Sequence, residues 1–99
     1  MTLTSTGMLG IREKALLAID GAQYQAGGTW YDADLAGKYA DSSSANISFY
    51  LPGDENGYTV TAVRLLDGDG NVAGNDSVNI TVGEEDMLYI AQLNIAQVV

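Results

Sequence analysis

Period-two alternation of apolar and polar residues is clearest in the second half of the chain. Ile47, Phe49 and Leu51 share one face of a short segment, and Ser48 and Tyr50 share the other. A second run covers 58–66, with Tyr58, Val60 and Ala62 on one face and Thr59, Thr61, Val63 and Leu65 on the other. Further apolar runs cover 77–82 and 87–99. In the last, Met87, Tyr89, Ala91, Leu93 and Ile95 point inward, and Leu88, Ile90, Gln92, Asn94 and Ala96 point outward. Alternation of this kind marks strands that are covered on one face, as in antiparallel sheets. Turn residues separate the runs: Pro52-Gly53-Asp54-Glu55-Asn56-Gly57, Asp67-Gly68-Asp69-Gly70-Asn71 and Gly83-Glu84-Glu85-Asp86. The pattern predicts four strands between 47 and 99, arranged as a β-meander. They form either one sheet backed by a helix or a small β-sandwich whose second layer comes from 22–40.

The first twenty residues change period. Met8, Ile11, Ala15, Leu16 and Ile19 follow helical spacing, while Arg12, Glu13 and Lys14 fall on the opposite side. Thr4, Ser5 and Thr6 supply hydroxyls for an N-cap, and Asp20-Gly21 supplies a stop in which Gly21 takes the left-handed cap. An amphipathic helix is predicted over about 6–19. Its apolar stripe must be buried on the chain's own sheet or on another subunit. From 22 to 46 the periodicity fades. Gln23-Tyr24-Gln25 and Thr29-Trp30-Tyr31 are β-prone but short, Gly27-Gly28 is a break, 35–40 is ambiguous and 41–46 is loop. The fold class is mainly β (α+β) in a single domain over 1–99.

Composition adds limits. The chain has 99 residues, with 46% hydrophobic, 12 Gly and one Pro, which suits strands joined by tight turns and is too apolar for disorder. Thirteen acids against four bases give a net charge of −9. That charge disfavours nucleic acid and anionic membrane surfaces, both of which require cationic side chains. The acids are spread over turns, which reads as solubilising charge. The N-terminus lacks a basic segment followed by a long apolar one, and no run has the ~20 apolar residues of a membrane span.

With no His and no Cys, Ser-His-Asp, Cys-His and Cys/His zinc arrangements are excluded. Asp67-x-Asp69-x-Asn71 matches the opening of a calcium loop, yet Val72 stands where that loop needs Gly and Val78 where it needs a bidentate Glu. A hairpin turn accounts for the same residues. The neighbouring carboxylates Asp32 with Asp34, and Glu84 with Glu85 and Asp86, are the residues a glycosidase pair would draw on, and they read better as solvated turns. Trp30 and Tyr31 with Asp32 and Asp34 combine aromatic faces and carboxylates, the ingredients of a carbohydrate or host-recognition surface. The competing reading has Trp30 in the core and the tyrosines at an interface. No cofactor is expected.

Two segments carry a family resemblance. Leu3-Thr-Ser-Thr-Gly-Met-Leu-Gly-Ile-Arg-Glu-Lys-Ala-Leu-Leu resembles the opening of bacteriophage tail-collar and tail-fibre N-terminal domains. Tyr58-Thr-Val-Thr-Ala-Val-Arg-Leu-Leu-Asp-Gly-Asp-Gly-Asn-Val-Ala resembles a later strand–turn–strand of the same domains. The resemblance covers about a third of the chain and carries no catalytic or metal residues. It implies a non-enzymatic virion structural protein of a tail (fibre, collar, baseplate or adaptor component) or a capsid decoration protein, assembled in the host cytoplasm. Its partners would be copies of itself and other virion proteins. Candidate contacts are the helix stripe (Met8, Ile11, Ala15, Leu16, Ile19) and the last strand (Leu93, Ile95, Val98, Val99). That strand stays apolar to Val99, so it is expected to be held in a sheet, within the chain or across a subunit boundary.

Overall fold

The computed structural model describes residues 5–41 and 44–93. They form one helix, α1 (Ser5–Ala18), and seven strands: β1 (Ile19–Ala26), β2 (Thr29–Ala33), β3 (Leu35–Ala40), β4 (Ala45–Leu51), β5 (Tyr58–Asp67), β6 (Val72–Val82) and β7 (Met87–Leu93). All strand pairs are antiparallel, and they make two sheets, ordered β2-β1-β5-β6 and β3-β4-β7. Of the two expected architectures, the sandwich forms, but 22–40 does not make a layer of its own: β1 and β2 join β5 and β6, and β3 joins β4 and β7. The β5–β6 hairpin is present at the Asp67 to Asn71 turn, but β7 does not continue it. β7 crosses over and pairs with β4 through seven consecutive residues, from Ala45 opposite Leu93 to Leu51 opposite Met87. The expected meander is therefore broken twice, at 52–57 and at 83–86, where the chain changes sheets.

The core lies between the sheets. Ala45, Ile47, Phe49 and Leu51 supply the buried face of β4, as the alternation requires, and meet Val60, Val63, Leu65 and Val82 of the facing sheet. Phe49 packs on Tyr89 with ring centroids 5.2 Å apart. β5 departs from simple alternation. Its register shifts between Val60 and Ala62, so Val60, Val63 and Leu65 all point inward and Ala62 does not share the buried face of Val60. The extra residue at this shift lies on β6, where Val78 and Asn79 stand opposite Thr61 alone, and the irregular pairing breaks the alternation of β5, which is why one unbroken period over 58–66 misassigns Val63 and Leu65.

The helix covers the expected segment but presents a different face. Met8, Arg12 and Leu16 are buried, Arg12 to 8% exposure, and Ile19 is buried as the first residue of β1. Ile11 is exposed and Leu17 is 80% exposed. Arg12, expected on the opposite side with Glu13 and Lys14, sits at i+4 from Met8 and i−4 from Leu16, on the same side of the helix. Long basic side chains can cover apolar surface with their methylenes. The left-handed cap expected at Gly21 is not used, since the helix passes directly into β1 and Gly21 has no positive φ.

Positive φ occurs instead at Gly27 and Gly28 (59° and 80°), between the paired Ala26 and Thr29. Two consecutive residues of this kind make a two-residue hairpin loop of the type that matches strand twist. The expected break is thus the β1–β2 turn, and β3 fills the ambiguous 35–40. β6 starts at Val72, five residues before its apolar run. Its polar first half pairs with Val63, Arg64 and Leu65.

Candidate functional site

Three surfaces concentrate chemistry. The first is the outer face of the β3-β4-β7 sheet. The alternation that buries Ile47, Phe49 and Leu51 sends Ser48 and Tyr50 outward, and the one that turns Tyr89 and Ala91 inward sends Leu88 and Ile90 outward. Tyr39 (62% exposed), Tyr50, Leu88 and Ile90 (60%) are all exposed there. Register places Tyr50 opposite Leu88 and Ser48 between Gly37 and Ile90. A groove of about 380 Å³ runs between Tyr39 on one side and Leu88 and Ile90 on the other, floored by Gly37, Asn46 and Ser48. Apolar side chains grouped on one sheet face make it a candidate interaction surface, because their burial would remove area from water at about 25 cal/mol per Å².

The second surface is a tyrosine corner at one end of the sandwich. Tyr24 of β1 and Tyr31 of β2 are register partners, with ring centroids 5.4 Å apart and nearly parallel planes. Tyr58, the first residue of β5, lies 5.9 Å from Tyr24. With Ala26, Pro52, Gly53 and Asp54 the three rings line a concavity of about 290 Å³. The Tyr58 hydroxyl donates to the Pro52 carbonyl at 2.5 Å. Burial, then Tyr24, then the carboxylates of Asp54 and Asp86 push the Tyr58 hydroxyl up to about 12. Each of these opposes a phenolate: burial removes water, and the acids repel the new charge.

The third is the outer face of the four-stranded sheet. The Arg64 guanidinium lies 3.9 Å from the centroid of the Trp30 ring and donates through Nε to Gln23 Oε1 at 2.8 Å. Gln23 Nε2 in turn donates to Asp32 Oδ1 at 2.7 Å. Trp30 and Asp32 share this face because they are two apart on β2.

The expected ligand surface of Trp30, Tyr31, Asp32 and Asp34 is therefore divided. Tyr31 points to the opposite face of β2, into the tyrosine corner. Asp34 is the crossover residue between β2 and β3, and its carbonyl accepts the Tyr50 N–H at 3.0 Å. One face of Trp30 is already occupied by Arg64. Asp67 acts as a turn residue, with Oδ1 accepting the N–H groups of both Asp69 and Asn71 at 2.9 Å. Among the described residues no three His, Cys, Asp or Glu side chains group as a metal-ligand set, and no helix is long and apolar enough to cross a membrane. Asp86 Oδ1 accepts the Gly53 N–H at 2.7 Å and so ties the two crossover loops together.

No family model, curated protein or solved structure matches the chain.

Of the expected contact residues, Met8, Leu16 and Ile19 are buried in the chain's own fold, Ala15 is half-buried and Ile11 is exposed. Leu93 is half-buried, beside Phe49 and Leu65 in the cavity between the sheets. Ile95, Val98 and Val99 lie outside the described residues. The outer sheet face was not assembled from sequence. Its signal was present in the outward phase of Leu88 and Ile90 and of Tyr50, but strand order was needed to bring them together.

Proposed function

We propose that the chain is a non-enzymatic structural protein of a bacteriophage tail, acting as a fibre, collar, baseplate or adaptor component through contacts with copies of itself and with other virion proteins. The observation that supports the assembly part is the outer face of the β3-β4-β7 sheet, where Tyr39, Tyr50, Leu88 and Ile90 stand exposed together. The assignment to a tail rests on the resemblance of 3–17 and 58–73 to tail-collar and tail-fibre N-terminal domains. Peptide mass spectrometry of purified phage particles tests it. The chain should be found in stoichiometric amounts in intact particles, and a Leu88→Ser/Ile90→Ser variant should be left out of them. Particles that lack the chain, or that incorporate the double variant normally, contradict the proposal.

The tyrosine corner supports a second reading, a small carbohydrate-binding or host-recognition module. It offers ring faces beside Asp54 in a concavity of about 290 Å³. Tyrosine ring resonances that do not move across a glycan panel would dismiss it.

A further inference from the structure

Resting on that assembly reading, we infer that the β7 edge of this sheet takes a second copy of this chain, with β7 pairing antiparallel to the β7 of the other copy and joining two three-stranded sheets into one of six strands. The four sheet edges differ in a way that singles out β7. β2 is only five residues long and carries Asp32. β6 has two register shifts and the exposed polar run Asn75, Asp76, Ser77. β3 is bulged between Leu35 and Gly37, carries Lys38 and lies against α1. Short length, bulges, charge and cover are the devices by which proteins prevent a sheet edge from recruiting another strand. β7 has none of them. Its pairing to β4 runs without a shift, and Met87-Leu-Tyr-Ile-Ala-Gln-Leu93 contains no charge, no Gly and no Pro. Among the described residues no strand pairs with its second edge.

Charge sets the direction, and a register in which β7 complements itself points to a copy as the occupant. The acids adjoining β7 in sequence are Glu84, Glu85 and Asp86, all at its N-terminal end, while Asp76 of β6 reaches Tyr89 from the inter-sheet side. A parallel pair would set each of them beside its own counterpart, and like charges directly opposite are destabilising. An antiparallel pair centred on Tyr89 sets Asp86 opposite Gln92 and Glu85 opposite Leu93, so none of these acids stands opposite another across the seam. The same register sets Leu88 of each copy against Ile90 of the other, which pairs the outward apolar residues twice. A two-fold arrangement of this kind uses one patch on both copies, and strand addition gives it backbone hydrogen bonds as well as apolar contact.

Sedimentation equilibrium of the full chain, Ile90→Lys and Leu17→Lys provides the test, with circular dichroism confirming the fold. Both replaced residues are exposed, at 60% and 80%. The wild type and Leu17→Lys should sediment at twice the 10.4 kDa chain mass, and Ile90→Lys at the chain mass. If Ile90→Lys does not fold, Leu88→Lys reads the same seam. In the cysteine-free chain, a mixture of Leu88→Cys and Ile90→Cys should cross-link far more than either alone. A wild type that stays monomeric up to about 1 mM overturns the pairing of copies, as does a dimer indifferent to lysine at 90. Such a monomer, if still found in purified particles, overturns this inference alone and leaves the assembly reading intact.

Discussion

Gly53→Ala should be among the most damaging single-methyl additions to this fold. Gly53 lies in the 52–57 crossover and packs on the 83–86 crossover. A Cβ there would stand 2.2 Å from the Glu84 carbonyl oxygen, 2.6 Å from the Glu84 carbonyl carbon and 2.7 Å from that of Glu85. Ordinary contact begins near 3.5 Å, so the two loops must separate by about 1 Å, and the obstructing atoms are backbone. The same movement strains the Gly53 N–H to Asp86 Oδ1 bond at 2.7 Å and the Asp54 N–H to Gly83 carbonyl bond at 2.8 Å. Overpacking costs roughly 1–3 kcal/mol, and a hydrogen bond to a carboxylate is worth roughly 1.5–3 kcal/mol. The two losses share one displacement and do not add fully, so about 2–4 kcal/mol is the expected cost. For a domain of this size that lowers Tm by roughly 10–25 °C. Thermal unfolding followed by the fluorescence of the single tryptophan, Trp30, measures it. Gly10→Ala is the control. It lies in α1 with nothing within 4 Å of the added Cβ, so the same chemical change should stabilise by roughly 0.5–1 kcal/mol. A Gly53→Ala protein melting within about 2 °C of the wild type would refute the close packing of the crossovers.

Three further outcomes follow from the other surfaces. Arg64→Ala removes the cation over Trp30 and the bond to Gln23; it should shift Trp30 emission to the red and cost about 1–2 kcal/mol in urea unfolding. Because the folded Tyr58 hydroxyl is raised to about 12 from an ordinary value of 10, its contribution to stability is complete below pH 10 and is lost as pH rises towards 12; Tyr58→Phe should flatten that part of the denaturation profile. Asp67→Ala frees the N–H groups of Asp69 and Asn71 and should cost about 1–2 kcal/mol, while millimolar calcium leaves the wild-type melting curve in place; a calcium-dependent rise in Tm would restore the metal reading of that loop.

Much of the secondary structure was legible from pattern because burial of one face imposes it. β4 shows this best: Ile47, Phe49 and Leu51 alternate, and all are inside. What pattern could not reach was anything set by an irregularity or by long-range pairing. The register shift between β5 and β6 after Val60 brings Val63 and Leu65 to the buried side with no local sign beyond a normal β-prone run. Strand order is decided by which sheet each crossover enters, and turn residues such as Pro52-Gly53 are equally suited to a hairpin and to a crossover. Arg12 belongs with Met8 and Leu16 by its spacing of four residues from each, and not with Glu13 and Lys14. Trp30, Tyr31 and Asp32 were grouped by proximity in sequence, whereas the pleat sends neighbours to opposite faces. The same pleat gathers Tyr39, Tyr50, Leu88 and Ile90 from three strands that no local window spans.

The assembly surface is tested most directly by amide hydrogen exchange measured at several protein concentrations. If copies join through β7, peptides covering 87–93 should gain protection as concentration rises, while peptides covering the edge strands β2 and β6 exchange at constant rates. Exchange in β7 that is independent of concentration, or protection appearing along β6 instead, would contradict the pairing of copies through β7.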